Sequence, residues 1–107
     1  MYEFYRMSIS DEYCNNMATI SINDSFTFND SSAFRDSLNK AVAKKIEVLN
    51  INLSRLDFID SSGLGMLMVT DKECKKHEIK LQLSSPSGDV KRILELTRLY
   101  ERFDIRG

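Results

Sequence analysis

The first half of the chain alternates apolar and polar residues before it turns helical. Tyr5, Met7 and Ile9 alternate with Arg6 and Ser8, Asn15-Asn16 offers a turn, and Ala18-Thr19-Ile20-Ser21-Ile22 alternates again. That pattern predicts two antiparallel strands joined as a hairpin. A further alternating stretch contains Phe26 and Phe28, after which Asp30-Ser31-Ser32 supplies an N-cap signal. Phe34, Leu38, Ala41 and Val42 then recur at i, i+4, i+7 and i+8, the spacing of an amphipathic helix. Its opposite face carries Arg35, Asp36, Asn39 and Lys40, which read as solvated surface.

From Ile46 to Ile59 the chain reads as a strand run buried on one side, with Leu49, Ile51 and Leu53 on one face. Residues 61 to about 77 read as a second helix, and Ile79, Leu81 and Leu83 alternate with polar neighbours as another strand. Pro86-Ser87-Gly88-Asp89 breaks the chain. Val90, Ile93, Leu94 and Thr97 then mark a third helix, its apolar stripe widened by Leu96, Leu99 and Tyr100, and Phe103-Asp104-Ile105 forms a short last strand. The expected order is βββαβαβαβ. Strands separated by single helices pair in parallel through right-handed crossovers, so the fold class is α/β, a mixed and mostly parallel sheet opened by an antiparallel hairpin.

Length changes this picture little: 107 residues suit one domain spanning 1–107, able to bury a core without metal or disulfide. Charge narrows the partners. Fifteen basic against sixteen acidic side chains leave a net charge of −1, with no electrostatic footprint for nucleic acid. The start from Met1 to Arg6 lacks the layout of a secretion signal, and no apolar run is long enough to insert in a membrane, so a cytoplasmic location is expected. The absence of a long apolar stripe makes a monomer the default. Cys14 and Cys74 are 60 residues apart without a CxxC motif, which predicts two reduced thiols, Cys14 in a loop and Cys74 in the core.

The candidate chemistry sits between the long strand run and the second helix, at Asp60-Ser61-Ser62-Gly63-Leu64-Gly65. Asp60 is a natural N-cap, which places Ser61 and Ser62 at the positive end of the helix macrodipole. Such a serine can accept a phosphate, although capped, serine-rich helix starts are also ordinary structure. At 100° per residue, Gly65, Met68, Val69, Lys72 and Lys76 fall near the azimuth of Ser61, whereas Gly63, Leu67, Thr70 and Cys74 face the opposite way, toward the sheet. The first group forms either a docking surface for a partner or, for Met68 and Val69, a broadened core stripe.

Enzyme chemistry is not indicated. The sole histidine, His77, is 16 residues beyond Ser61 on the same helix, roughly 24 Å along its axis, which rules out a catalytic pair. Gly63 and Gly65 match only the first two glycines of a dinucleotide fingerprint, with Met68 at the third position, and no P-loop is present. Asp57 and Asp60 read as solvation and capping.

The run from Ile51 to Gly65, Ile-Asn-Leu-Ser-Arg-Leu-Asp-Phe-Ile-Asp-Ser-Ser-Gly-Leu-Gly, resembles the strand, short loop and phosphorylation motif of STAS domains of the anti-sigma factor antagonist family. Phe28-Asn29-Asp30 leading to Phe34-Arg35, and Val90 to Leu96 through Phe103-Asp104-Ile105, resemble that family's first helix start, third helix and last strand. The resemblance implies a bacterial, cofactor-free, non-enzymatic regulator of transcription working by partner switching. Ser61 would be the phosphorylated serine, with Ser62 the lesser candidate and Asp60, Gly63 and Gly65 completing the switch motif. Ser61, Gly65, Met68, Val69 and Lys72 would meet the partner. The implied partners are an anti-sigma factor that is also a serine kinase and a metal-dependent serine phosphatase. A STAS adaptor acting on another signalling enzyme, such as a cyclic-dinucleotide synthase, or on a transporter is the alternative. The family commonly adds a helix after the last strand, where this sequence reaches Arg106-Gly107.

Overall fold

A computed structural model describes residues 9–107. The hairpin comprises β1 (Ile9–Cys14) and β2 (Met17–Ile22), antiparallel and joined through Asn15-Asn16. Asn15 takes a left-handed φ of 56°, a conformation asparagine tolerates better than most residues. Tyr5 and Met7 of the expected first strand lie outside the described residues. Cys14, expected in a loop, is instead the exposed last residue of β1.

β3 (Asp24–Phe26) leads into a single 3-10 turn at Phe28–Asp30 and then α1 (Ser31–Ala43). Asp30 occupies the N-cap position of α1 but does not cap it; its carboxylate instead accepts from the Thr27 backbone N–H at 2.9 Å, closing a capping box around the 3-10 turn. Phe28, expected in a strand, opens that turn.

The stretch from Ile46 to Ile59 divides into β4 (Val48–Asn52) and β5 (Leu56–Ile59), which belong to different sheets. Asn52 Oδ1 accepts from the Ser54 N–H at 3.1 Å and the Leu56 N–H bonds back to the Leu53 carbonyl, so a side-chain turn redirects the chain between two apolar runs. α2 (Ser61–Lys76), β6 (Lys80–Ser84), α3 (Gly88–Leu96), α4 (Leu99–Arg102) and β7 (Asp104–Arg106) follow. The expected single third helix is thus two, divided where Arg98 adopts φ 64°, and Leu96 is left exposed rather than joining the apolar stripe.

The main sheet runs β1-β2-β4-β6-β7 and is parallel except for the hairpin; β3 and β5 form a second, parallel pair. Ala18, Ile20, Ile22, Leu49, Ile51 and Leu83 point from the central strands into the core, where Phe34, Leu38, Leu67 and Cys74 of α1 and α2 meet them. Alternate positions turn to the other sheet face and are polar: Asn52 Nδ2 donates to Ser21 Oγ at 3.2 Å and Gln82 Nε2 to Asn50 Oδ1 at 3.3 Å. This alternation is what a sheet with one apolar face requires. It sets α1 and α2 side by side on one surface.

Candidate functional site

α2 starts where β5 ends. Asp60 is extended (φ −103°, ψ −176°) and its Oδ1 accepts from the Gly63 N–H at 2.8 Å, while its carbonyl accepts from Leu64. Among the described residues the amides of Ser61 and Ser62 have no acceptor, so two donors of the first turn remain open beside an exposed Ser61 side chain. The Asp60 N–H donates to the Phe26 carbonyl at 3.3 Å, tying the helix start to β3.

Gly63 is there for space. A Cβ at this position would collide with the Phe26 carbonyl oxygen and lie 2.7 Å from Ile59 Cγ1, so only glycine lets the first turn of α2 approach the β3–β5 pair. At Gly65 a Cβ would meet nothing within 4 Å. The two glycines therefore differ in role, one buried against backbone and the other on the open face.

The helical projection is realised. Gly63, Leu67, Thr70 and Cys74 are buried, and Ser61, Met68, Val69, Lys72 and Lys76 are exposed. Met68 and Val69, at 40% and 52% exposure, are not a broadened core stripe. His77 caps the far end of α2, one helix length from Ser61.

Three features escape the sequence pattern. Phe28 and Phe58 are exposed at 72% and 53%, and both flank the switch segment, since Phe58 lies two residues before Asp60 and Phe26 pairs with Ile59. A strict period of two would put Leu56 and Phe58 on one face. Instead the β3–β5 register slips between Asp24 and Ser25, so Leu56 and Ile59 are both buried and Phe58 turns out. Asp71 is the third feature: buried on α2, it accepts from Lys75 Nζ at 3.1 Å and from Arg102 Nε at 3.4 Å, pinning α4 to α2. An apolar helix stripe gives no hint of a buried acid whose partner is 31 residues away.

Cys74 is not a reactive thiol. Burial, then the charges of Asp71 and Glu73, push its pKa from 9.0 up to about 12, so the neutral thiol persists. No described helix is long and apolar enough to cross a membrane.

A mixed sheet with helices side by side on one face, and a capped, serine-bearing helix start beyond a strand end, defines a small α/β module whose open feature is a helix N-terminus. The chain belongs to the STAS domain family, whose model matches residues 9–106. Its fold is similar to that of an anti-sigma factor antagonist from Mycobacterium paratuberculosis (21% identity over 92% of this chain and 83% of that one, TM-score 0.80). It is also similar to the Bacillus cell fate determinant SpoIIAA in its phosphorylated form (18% identity, 91% and 89% coverage, TM-score 0.72). A sulfate transporter family protein from Wolinella succinogenes shares the fold as well (20% identity, 85% and 76% coverage, TM-score 0.75).

Proposed function

We propose that this protein is an anti-sigma factor antagonist that acts by partner switching in the cytoplasm, as a monomer and without catalysing a reaction itself. Unphosphorylated, it binds an anti-sigma factor that is also a serine kinase. That partner phosphorylates Ser61 and is released, and a metal-dependent serine phosphatase removes the phosphate to restore binding. The observation that carries this reading is the exposed Ser61 hydroxyl, on a helix start capped by Asp60 and on the same side of α2 as half-buried Gly65 and exposed Met68, Val69 and Lys72. Ser62, half-buried, is the lesser acceptor.

A phosphate at Ser61 adds ≈ −1.5 to −2 charge beside Asp60. The open amides and the helix dipole accommodate it within the domain, whereas a partner lying over Met68 and Val69 meets both repulsion and a hydrated group it must strip. Moving a bound population from nearly all to nearly none takes about 5.5 kcal/mol of differential affinity, more than one screened charge supplies, so steric exclusion by the phosphate contributes as well.

The test is to incubate the protein with ATP and lysate of its own cells, map phosphate by mass spectrometry, and compare partner capture by wild type, Ser61→Ala and Ser61→Asp. Phosphate at Ser61, with capture kept by Ser61→Ala and lost by Ser61→Asp, is the expected result. The fold shared with a sulfate transporter family protein supports a second reading, a STAS adaptor on a transporter or another signalling enzyme. A protein unmodified at both Ser61 and Ser62 would favour that one.

A further inference from the structure

Ser61 is the first residue of α2, and most of its neighbours along the chain are held in place by the fold. Asp60 has its N–H on the Phe26 carbonyl and its carboxylate on the Gly63 N–H. Ile59, before it, is buried in the core. Beyond Ser61, Ser62 is half-buried, Gly63 is wedged against the Phe26 backbone, and Leu64 packs on the core. A groove that reads an extended peptide needs these groups free. Drawing them out would unseat Ile59 and Leu67, both buried, and open the β3–β5 pair.

What stays exposed around Ser61 comes from three elements. β3 and β5 run parallel with Phe26 opposite Ile59, and the Asp60 N–H carries that register one bond further. Thr27 then falls beside Asp60 and Phe28 beside Ser61, so the 3-10 turn sets an exposed aromatic residue level with the candidate phosphate acceptor. Phe58 stands three positions before Ser61 on β5, and Met68 and Val69 follow about two turns along α2. Among the described residues five large apolar side chains are exposed, and these are four of them; Leu96, at the end of α3, is the fifth. Single exposed apolar residues are ordinary, but a gathering around one hydroxyl marks an interaction site.

We propose that the kinase recognises Ser61 only in the folded domain, through a discontinuous surface in which Phe28 and Phe58 are the anchors, each seated in an apolar hollow of the kinase beside its nucleotide. The inference rests on the reading of Ser61 as the phosphate acceptor and adds what its kinase must read. The chemistry of transfer fixes what covers this patch. Ser61 Oγ attacks the γ-phosphorus of ATP, the bond from that phosphorus to the β–γ bridging oxygen breaks, ADP leaves, and the hydroxyl proton passes to a base on the kinase. Oγ and phosphorus must approach within about 3–3.5 Å, so the protein holding the ATP lies against whatever protrudes beside Ser61. Phe28 and Phe58 protrude there, and buried aromatic anchors supply the affinity that the tied-down neighbours of Ser61 cannot. Recognition is then conformational, because Phe28 reaches Ser61 only through the β3–β5 pairing.

The test compares wild type, Phe28→Ser, Phe58→Ser, Leu96→Ser and a synthetic peptide of residues 55–69. Each is incubated at limiting concentration with γ-labelled ATP and lysate of the protein's own cells, and the initial rate of labelling at Ser61 is measured. The peptide keeps Ser61, Phe58, Met68 and Val69 but lacks Phe28 and the fold. Wild type and Leu96→Ser are expected to label at equal rates, each phenylalanine variant about tenfold more slowly, and the peptide about a hundredfold more slowly. All three substituted side chains are exposed, so the variants fold, which circular dichroism verifies. A peptide labelled at the wild-type rate, either phenylalanine variant labelled at that rate, or Leu96→Ser slowed as much as they are would each overturn the proposal while leaving Ser61 the acceptor. A wild-type chain without label at Ser61 would defeat the switching reading itself and this inference with it.

Discussion

Gly63 and Gly65 sit two residues apart on α2 and meet opposite surroundings, which makes them a sensitive pair for the geometry of the site. Gly63→Ala drives a methyl into the Phe26 carbonyl and Ile59, so a loss of about 1–3 kcal/mol is expected in urea unfolding, with the first turn of α2 displaced. Gly65→Ala meets open space and replaces a poor helix former, so a gain of about 0.5–1 kcal/mol is expected in the same measurement. Both glycines are visible in the sequence, and their helical azimuths separate them. What makes Gly63 indispensable is backbone from β3, far away in the chain. The two thiols also divide by environment. Iodoacetamide is expected to add one label to the folded protein, at exposed Cys14, and a second at Cys74 only in denaturant. Because the folded state holds the Cys74 proton more tightly than the unfolded chain does, the stability linked to this group is intact below about pH 9. It is lost as pH rises toward about 12. Urea unfolding at pH 8 and 10 should show a smaller loss in Cys74→Ala than in wild type.

At the scale of elements, polar side chains and single backbone conformations decide where an apolar pattern is cut. Leu49, Ile51 and Leu53 are legible as one face of a strand, and all three are buried. The division of that run into β4 and β5 is set by the Asn52 side-chain turn and by the Leu53 N–H, which bonds the Ser84 carbonyl of β6. Without knowledge of β6, nothing in the run itself marks Leu53 as its end. The third helix is similar: its period continues through Thr97 to Tyr100, but the Thr97 hydroxyl donates to the Ile93 carbonyl and Arg98 turns left-handed, starting α4. Arg98 holds a left-handed φ of 64° that costs arginine and not glycine, so Arg98→Gly is expected to stabilise the fold by about 0.5–1 kcal/mol. A rise of a few degrees in the thermal midpoint would register it. α2 carries the candidate switch at one end and, through Asp71, holds Arg102 of α4 near its other end.

For the whole molecule, the central expectation is that charge at Ser61 changes binding without changing the fold. Ser61→Asp places a carboxylate where the helix dipole favours it and where Asp60 opposes it, so stability should move by less than about 1 kcal/mol while partner affinity collapses. Calorimetry with and without the purified partner measures both quantities on one sample, and a large loss of stability would mean that the variant reports unfolding rather than switching. The sequence by itself determined the α/β class, the helices α1 and α2, the hairpin turn at Asn15-Asn16, the cap at Asp60 and which side of α2 faces outward. Those properties follow from local dihedral preference and from periods of 2 and 3.6, which a single strand or helix expresses unaided. Only the tertiary structure decided that one apolar run serves two sheets, that Phe28 and Phe58 face solvent, and that Asp71 is buried against α4. Each of these depends on register or packing between residues distant in the chain, where hydrogen bonding and close contact, rather than local pattern, fix which atoms meet.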